Sequence, residues 1–160
     1  MLDQKWKLAL TAAGALALFG LGARSAQWTR RRVAVNPPGT ASGLPFSNGI
    51  RVGNALYVAG EQGLQNGKPV PGGIGPETQA ALEAIQKIVR AGGMDMKDVV
   101  TVNVYLADVH DFPAMNRVYT KFFPDPKPAR TTVQVGALVN NARVEISAIA
   151  VREQGASTGR

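Results

Sequence analysis

The spacing of apolar residues changes along the chain from a continuous run to periodic patterns. Residues 8–23 form an uncharged run, whereas residues 24–41 have no apolar periodicity and contain Asn36-Pro37-Pro38-Gly39. Successive prolines and glycines do not continue a helix, so this second segment predicts a linker. We expect a folded domain at 42–153 and a short tail at 154–160.

Two segments of the domain have the apolar spacing of amphipathic helices. The first follows Pro76, ends at Gly92-Gly93 and carries an i, i+1, i+4, i+7, i+8 stripe of Ala81, Leu82, Ile85, Ile88 and Val89. The second begins near Asp111 and has Pro113 in its first turn. Its stripe consists of Phe112, Met115, Tyr119 and Phe122.

Alternating apolar and polar residues predict the strands. They are 50–52 and 55–59, joined by a Gly53-Asn54 turn, followed by 99–107, 130–135 and 143–151. The order strand, strand, helix, strand, helix, strand, strand predicts an α+β fold. In this fold, two helices cover one face of a single sheet.

The last two strands carry polar residues that define a candidate site. If these strands pair as an antiparallel hairpin, one sheet face, opposite the helices, carries Arg130, Thr132, Glu145 and Ser147. A sheet face with an arginine and a glutamate is either a solvated surface or a binding site. The alternation of residues leaves both interpretations open.

Composition and charge exclude several classes of function. The 160 residues include no cysteine, which excludes disulfides, cysteine-ligated metal sites and a thiol nucleophile. The net charge is +7, but six of the 18 basic and one of the 11 acidic residues lie in residues 1–35. The remaining twelve basic and ten acidic residues give no electrostatic argument for a nucleic-acid partner. His110 is the only histidine, so no metal site is expected.

The apolar run at 8–23 predicts a targeting segment within residues 1–23. As a helix it spans roughly 24 Å, which is shorter than a bilayer core of about 30 Å unless Trp6, Lys7 and Arg24 anchor at the interfaces. The excess of downstream arginines favours a cytoplasmic domain. We expect one N-terminal transmembrane helix that anchors the protein in the membrane. A cleaved signal peptide with export, or a soluble or peripheral segment, is the alternative.

Several short motifs occur in a characteristic order within residues 42–153. They are Tyr57-Val58-Ala59-Gly60-Glu61, Gly92-Gly93 before Asp98-Val99-Val100, Met115-Asn116-Arg117-Val118-Tyr119, and the segments 128–135 and 143–151. This series resembles the Rid family, the reactive intermediate (enamine/imine) deaminases, also called YjgF or L-PSP endoribonuclease-like proteins. The resemblance implies a chorismate-mutase-like α+β subunit and a homotrimer with clefts between subunits.

The resemblance also implies an activity. Family members hydrolyse 2-aminoacrylate and related imines to 2-keto acids and ammonia without metal or cofactor, which implies an enzyme like a 2-iminobutanoate/2-iminopropanoate deaminase. Arg130 matches the arginine that clamps the substrate carboxylate, a role that suits a forked guanidinium. Glu145 matches the glutamate that positions or activates water. Asn116 matches an asparagine near the cleft.

The chain departs from the family pattern at four positions. Ala59 replaces a common serine, Glu61 a common glutamine, and Thr132 a cysteine that some members carry, while Phe46 lies near a usual tyrosine. Gly60 completes the predicted substrate-binding set. Loss of two hydroxyls removes potential hydrogen bonds of about 1 kcal/mol each. A non-catalytic module that binds 2-keto acids is therefore the alternative, and endoribonuclease action is less favoured.

Overall fold

The computed structural model describes residues 31–40 and 43–153. In the order of the chain, its elements are β1 Arg32–Val35, β2 Gly49–Val52, β3 Ala55–Gln62, β4 Leu64–Gln65, β5 Lys68–Pro69, α1 Ile74–Ala91, β6 Val99–Leu106, α2 Phe112–Tyr119, β7 Ala129–Gln134 and β8 Val144–Val151. Short 3-10 helices occupy Met96–Asp98, Val109–Asp111 and Val139–Asn141. The predicted helices and strands are all present, with bounds that differ by one to three residues at most ends.

Six of the strands form one mixed sheet, in the order β1-β2-β3-β8-β6-β7. Only the contact between β6 and β7 is parallel within this sheet, and β4 and β5 form a separate small hairpin. The α+β class with two helices is confirmed. Strand β1, however, lies in the segment assigned above to a linker, and it extends the sheet beyond β2.

The helices cover one face of the sheet and enclose the core there. α1 packs on β3 and β8, and α2 packs against α1. The whole predicted stripe of α1 is buried, as are the alternate β8 residues Val144, Ile146, Ala148 and Ala150. In the second stripe Met115 and Tyr119 are buried, but Phe123 replaces Phe122 as the buried aromatic residue. The helical period no longer applies there because α2 ends at Tyr119.

The predicted hairpin of the last two strands is wrong. β7 pairs in parallel with β6, whereas β8 lies between β3 and β6. The physical reason is burial, because the apolar residues of β8 fill a central position while the polar β7 occupies an edge. Arg130 and Thr132 pair with Val102 and Val104, which are buried under the helices, so both lie on the helix-covered face. Glu145 lies on the opposite face.

The prediction of a transmembrane helix and a membrane-anchored location is corrected here. Within residues 31–40 and 43–153, no helix is both long and apolar enough to cross a membrane. α1 has 18 residues, but it carries Glu77, Glu83, Lys87 and Arg90, and charged side chains are costly in lipid. The run at 8–23 and the signal-peptide alternative lie outside the described residues, as does the predicted tail at 154–160.

Close approach of the chain between β3 and β4 to α1 makes Gly63 sensitive to substitution. An added Cβ would overlap the backbone oxygen of Glu77 and lie 2.5 Å from its Cα. We expect Gly63→Ala to lower the free energy of unfolding by about 1–3 kcal/mol, because only backbone movement relieves the overlap. Gly75→Ala is the matched control in α1, since nothing lies within 4 Å of an added Cβ there. The free energy of unfolding of that variant is expected to be unchanged or to rise by up to about 1 kcal/mol. Urea unfolding measures both variants, and an equal loss of stability in the two would contradict the prediction.

Candidate functional site

Arg130 is held on the helix-covered face by residues of α2. Its Nη1 donates a hydrogen bond to Asn116 Oδ1 at 2.8 Å. The guanidinium carbon lies 4.4 Å from the ring centroid of Tyr119 and 5.4 Å from that of Phe112. Stacking on aromatic rings and the hydrogen bond together restrict the guanidinium to one orientation. The structure thus brings Arg130 and Asn116 together, as the site prediction requires.

Two buried hydroxyls share this face of the sheet with Arg130. Thr132 Oγ1 has no hydrogen-bond partner among the residues that the structure describes, and Tyr119 Oη has none with good hydrogen-bond geometry, although Arg130 lies beside it. Burial raises the pKa of the Tyr119 hydroxyl, whereas the positive charge of Arg130 and its approach to the hydroxyl lower it. Buried polar groups without partners are unusual and costly. We call Arg130, Asn116, Tyr119 and Thr132 the arginine half of the candidate site.

Glu145 is held on the helix-free face by residues of β3. Gln62 Nε2 donates a hydrogen bond to Glu145 Oε2 at 2.8 Å. At Gly60 an added Cβ would overlap Glu145 Oε1 and lie 2.9 Å from its carboxyl carbon. Glycine at this position therefore leaves the space that the carboxylate occupies. We call Glu145, Gly60 and Gln62 the glutamate half of the candidate site.

A β-bulge in β3 determines how the glutamate half is arranged. Val58 pairs with Ala148 and Glu61 with Ile146, so Ala59 and Gly60 together lie opposite a single residue of β8. Such bulges bend a strand and redirect its side chains. As a result, Gly60 approaches Glu145, and the end of β3 faces a cleft.

This cleft has a volume of about 1200 Å³ and contains four of the seven predicted site residues. Its lining includes Phe46, Ala59, Gly60 and Glu145. Phe46 is 56% exposed there. Arg130, Asn116 and Thr132 do not line this cleft. A second cleft of about 890 Å³ lies near Gly93 and Arg152 and includes none of the predicted site residues.

Glu61 adds a second carboxyl group to the cleft. Burial raises the pKa of the Glu61 carboxyl, a hydrogen bond from Asn48 Nδ2 at 3.4 Å lowers it, and the charge of Glu145 raises it. The backbone N–H of Asn48 in turn donates to Asn36 Oδ1 at 2.9 Å. The chain before β2 therefore supports the residue that contacts Glu61.

Sequence reasoning did not identify Gln62 or Asn140 as parts of this site. Asn140 Nδ2 donates to Gln62 Oε1 at 3.2 Å, which connects the loop before β8 to the glutamate half. The available signal was the Asn140-Asn141 pair, because asparagine tolerates the left-handed conformation that both residues adopt. Within the described part of the chain, no group of three or more acidic or histidine side chains is arranged to hold a metal ion.

Comparison with known proteins gives consistent matches over the domain. A family model described as Endoribonuclease L-PSP matches residues 38–152. A 2-iminobutanoate/2-iminopropanoate deaminase of Dermatophagoides farinae is 43% identical over 111 residues, which cover 68% of this chain and 87% of that protein. The crystal structure of yeast YEO7 has a TM-score of 0.72 at 30% identity and covers 77% of this chain and 100% of its own. That of E. coli TdcF with bound serine has a TM-score of 0.67 at 30% identity, with 76% and 98% covered.

The matched residues include both halves of the candidate site. The family model spans both helices and every strand from β2 to β7, together with all of β8. The solved structures reproduce the fold over about three quarters of this chain. The chain therefore belongs to the Endoribonuclease L-PSP family, the Rid (YjgF) family that its motifs resemble.

Proposed function

We propose that this protein hydrolyses small enamine and imine acids of the 2-aminoacrylate or 2-iminopropanoate type to 2-keto acids and ammonia. The deaminase name of the 43% identical relative supports this reaction class. The observation that carries the proposal is the guanidinium of Arg130, which Asn116 and two aromatic rings hold beside the buried hydroxyls of Tyr119 and Thr132. A small substrate with a carboxylate supplies the polar groups that this arrangement lacks.

In this proposal Arg130 clamps the substrate carboxylate. One of its N–H donors is used by Asn116 Oδ1, and the fork geometry leaves donors for a paired contact with two carboxylate oxygens. The rings of Tyr119 and Phe112 restrict the guanidinium before substrate binds. Binding then costs less conformational entropy, because the side chain is already ordered.

Glu145 activates the water that attacks the imine carbon. A new C–O bond forms as water transfers a proton to the Glu145 carboxylate, which acts as a general base. The Glu145 carboxyl passes this proton to nitrogen, which gives a carbinolamine. The hydroxyl proton of the carbinolamine then moves to the same nitrogen, the C–N bond breaks, and ammonia leaves as the keto group forms. The amide of Gln62 donates its hydrogen bond to Oε2 of Glu145 and makes none to Oε1.

The complete site requires more than one copy of the chain. The arginine half and the glutamate half lie on opposite faces of one sheet, so a single subunit cannot present both to one small substrate. We therefore include in the proposal a homotrimer in which the arginine half of one subunit faces the glutamate half of the next. Exposed apolar residues on the helix-free face, among them Tyr57 and Val133, suit an interface between copies.

Binding without turnover is the second candidate function. Ala59 and Phe46 present no hydroxyl to the cleft at positions where one is expected. The TdcF structure with bound serine shows that one relative of similar fold binds a small amino acid. Ribonuclease action has no comparable support, because the charge of residues 36–160 is nearly balanced.

Replacement of Arg130 tests the clamp. We expect Arg130→Ala to lower kcat/KM for 2-iminopropanoate roughly 10- to 100-fold, the loss of a charge-assisted hydrogen bond of about 1.5–3 kcal/mol. Arg117→Ala, on the exposed side of the same helix, serves as the matched control and should keep its rate. Steady-state hydrolysis by the full chain is the measurement. Equal rates for wild type and Arg130→Ala would show that Arg130 does not bind the substrate carboxylate. Tight keto-acid binding without turnover would favour the binding module.

Mixing two impaired variants tests the shared site. Arg130→Ala and Glu145→Gln are each expected to retain at most about a tenth of the wild-type activity alone. When the two variants are co-expressed in equal amounts and assemble at random, about a quarter of all sites combine an intact Arg130 with an intact Glu145 from the next subunit. We expect activity to return to about that fraction of the wild-type rate. If mixtures prove no more active than the separate variants, the shared site is wrong.

The raised pKa of the Glu61 carboxyl predicts a pH-dependent effect of Glu61→Gln on stability. The folded state binds this proton more tightly than the unfolded chain, so the unfavourable effect of Glu61 grows as pH rises above its ordinary value of 4.5. We expect Glu61→Gln to unfold at higher urea concentration than wild type at neutral pH. The difference should shrink as pH falls towards 4.5. A difference that is constant with pH would contradict the assigned cause.

A further inference from the structure

Three side chains form a hydrogen-bonded series that ends on Glu145. Asn140 Nδ2 donates to Gln62 Oε1 at 3.2 Å, and Gln62 Nε2 donates to Glu145 Oε2 at 2.8 Å. The series joins the loop before β8 to the end of β3 and then to β8 itself. Each member belongs to a different segment of the chain, so the series fixes their relative positions.

The chemistry of the three groups permits one orientation of the Gln62 amide. An ionised carboxylate only accepts hydrogen bonds, so the NH₂ group of Gln62 must face Glu145. Its oxygen then faces the NH₂ group of Asn140, which can only donate. Both ends of the Gln62 side chain are therefore engaged, and its rotation is restricted by two partners.

The loop that carries Asn140 adopts an uncommon backbone conformation. Asn140 has φ of 60° and Asn141 has φ of 56°, both in the left-handed region. This conformation costs most residues about 1–2 kcal/mol, and asparagine bears it better than others. Strained backbone often lies next to functional groups, and here it directs the Asn140 amide at Gln62.

We infer that Gln62 is a positioning residue for Glu145 and that Asn140 holds Gln62 in place. This inference rests on the proposed role of Glu145 in activating water. Gln62 fixes Oε2, while the absence of a Cβ at Gly60 lets Oε1 lie against β3. The carboxylate then keeps one orientation in a cleft where the negatively charged Glu61 would otherwise repel it.

A merely structural role predicts a different result from a positioning role. Asn140 is exposed and Gln62 is half-buried, so loss of their hydrogen bonds has little effect on folding. A misplaced general base instead slows the chemical step without changing how the carboxylate of the substrate binds. The two roles therefore separate in a comparison of kcat, KM and thermal stability.

The experiment compares four variants of the full chain in 2-iminopropanoate hydrolysis. We expect Gln62→Leu and the similarly long, uncharged Gln62→Met to lower kcat about tenfold with KM and Tm little changed, because both lose the donor to Glu145. Asn140→Gly keeps the left-handed backbone accessible and removes only the amide, so a smaller fall of about threefold is expected. Gln79→Leu is the matched control, since the exposed Gln79 of α1 donates a similar hydrogen bond to Glu83 Oε1 at 2.9 Å, does not line the cleft and should leave kcat unchanged.

The outcomes distinguish this inference from the proposed function. If wild type is active, Glu145→Gln is inactive and Gln62→Leu equals wild type, the positioning role is overturned while the proposed function stands. If wild type shows no turnover, the proposed function fails. A crystal structure of Gln62→Leu then decides the geometry: a displaced Glu145 carboxylate supports positioning, and an unmoved one overturns it. A rise in KM with an unchanged kcat also overturns the inference.

Discussion

The burial of β8 between β3 and β6 is the constraint on which the rest of the structure depends. Val144, Ile146, Ala148 and Ala150 pack beneath α1 in the centre of the sheet. Because side chains alternate along a strand, this burial forces Glu145 onto the opposite face. Because β8 takes the central position, β7 lies at the edge of the sheet beside β6. The parallel register of β7 turns Arg130 towards α2. The two halves of the site are separated by the way in which the core is filled.

The bulge in β3 is the second consequence of this arrangement. A regular strand would place every residue of β3 opposite one residue of β8. The extra residue at Ala59 and Gly60 instead shifts the register, so that Gly60 and Gln62 meet the Glu145 side chain. The carboxylate is thus accommodated by a missing side chain and held by an amide two positions further along the strand. A serine at Ala59 would alter the cleft without replacing either contact.

Local patterns of the sequence predicted both helices and five of the strands, but they missed β1, β4 and β5 and gave the wrong pairing for the last two strands. The stripe of α1 and the Gly53-Asn54 turn depend on neighbours within a few positions, and both were predicted. The pairing of β7 with β6 depends on which strand gains most from a central position, which no local pattern records. The contact between Asn140 and Gln62 joins residues 78 positions apart. Motif resemblance identified Arg130 and Glu145, but it carried no information on the face of the sheet to which each belongs.

In the proposed trimer, the charges of the two halves favour their assembly across an interface between copies. The arginine half presents a guanidinium, whereas the cleft of the glutamate half carries Glu145 and Glu61. Opposite charges attract when subunits meet, and the attraction grows as water is excluded. Gln62 restrains one oxygen of the Glu145 carboxylate, and Asn116 with the two rings restrains the guanidinium of Arg130. Each charge is therefore held within its own subunit, and in the proposed trimer the space between them would receive a substrate that carries both a carboxylate and an electrophilic carbon.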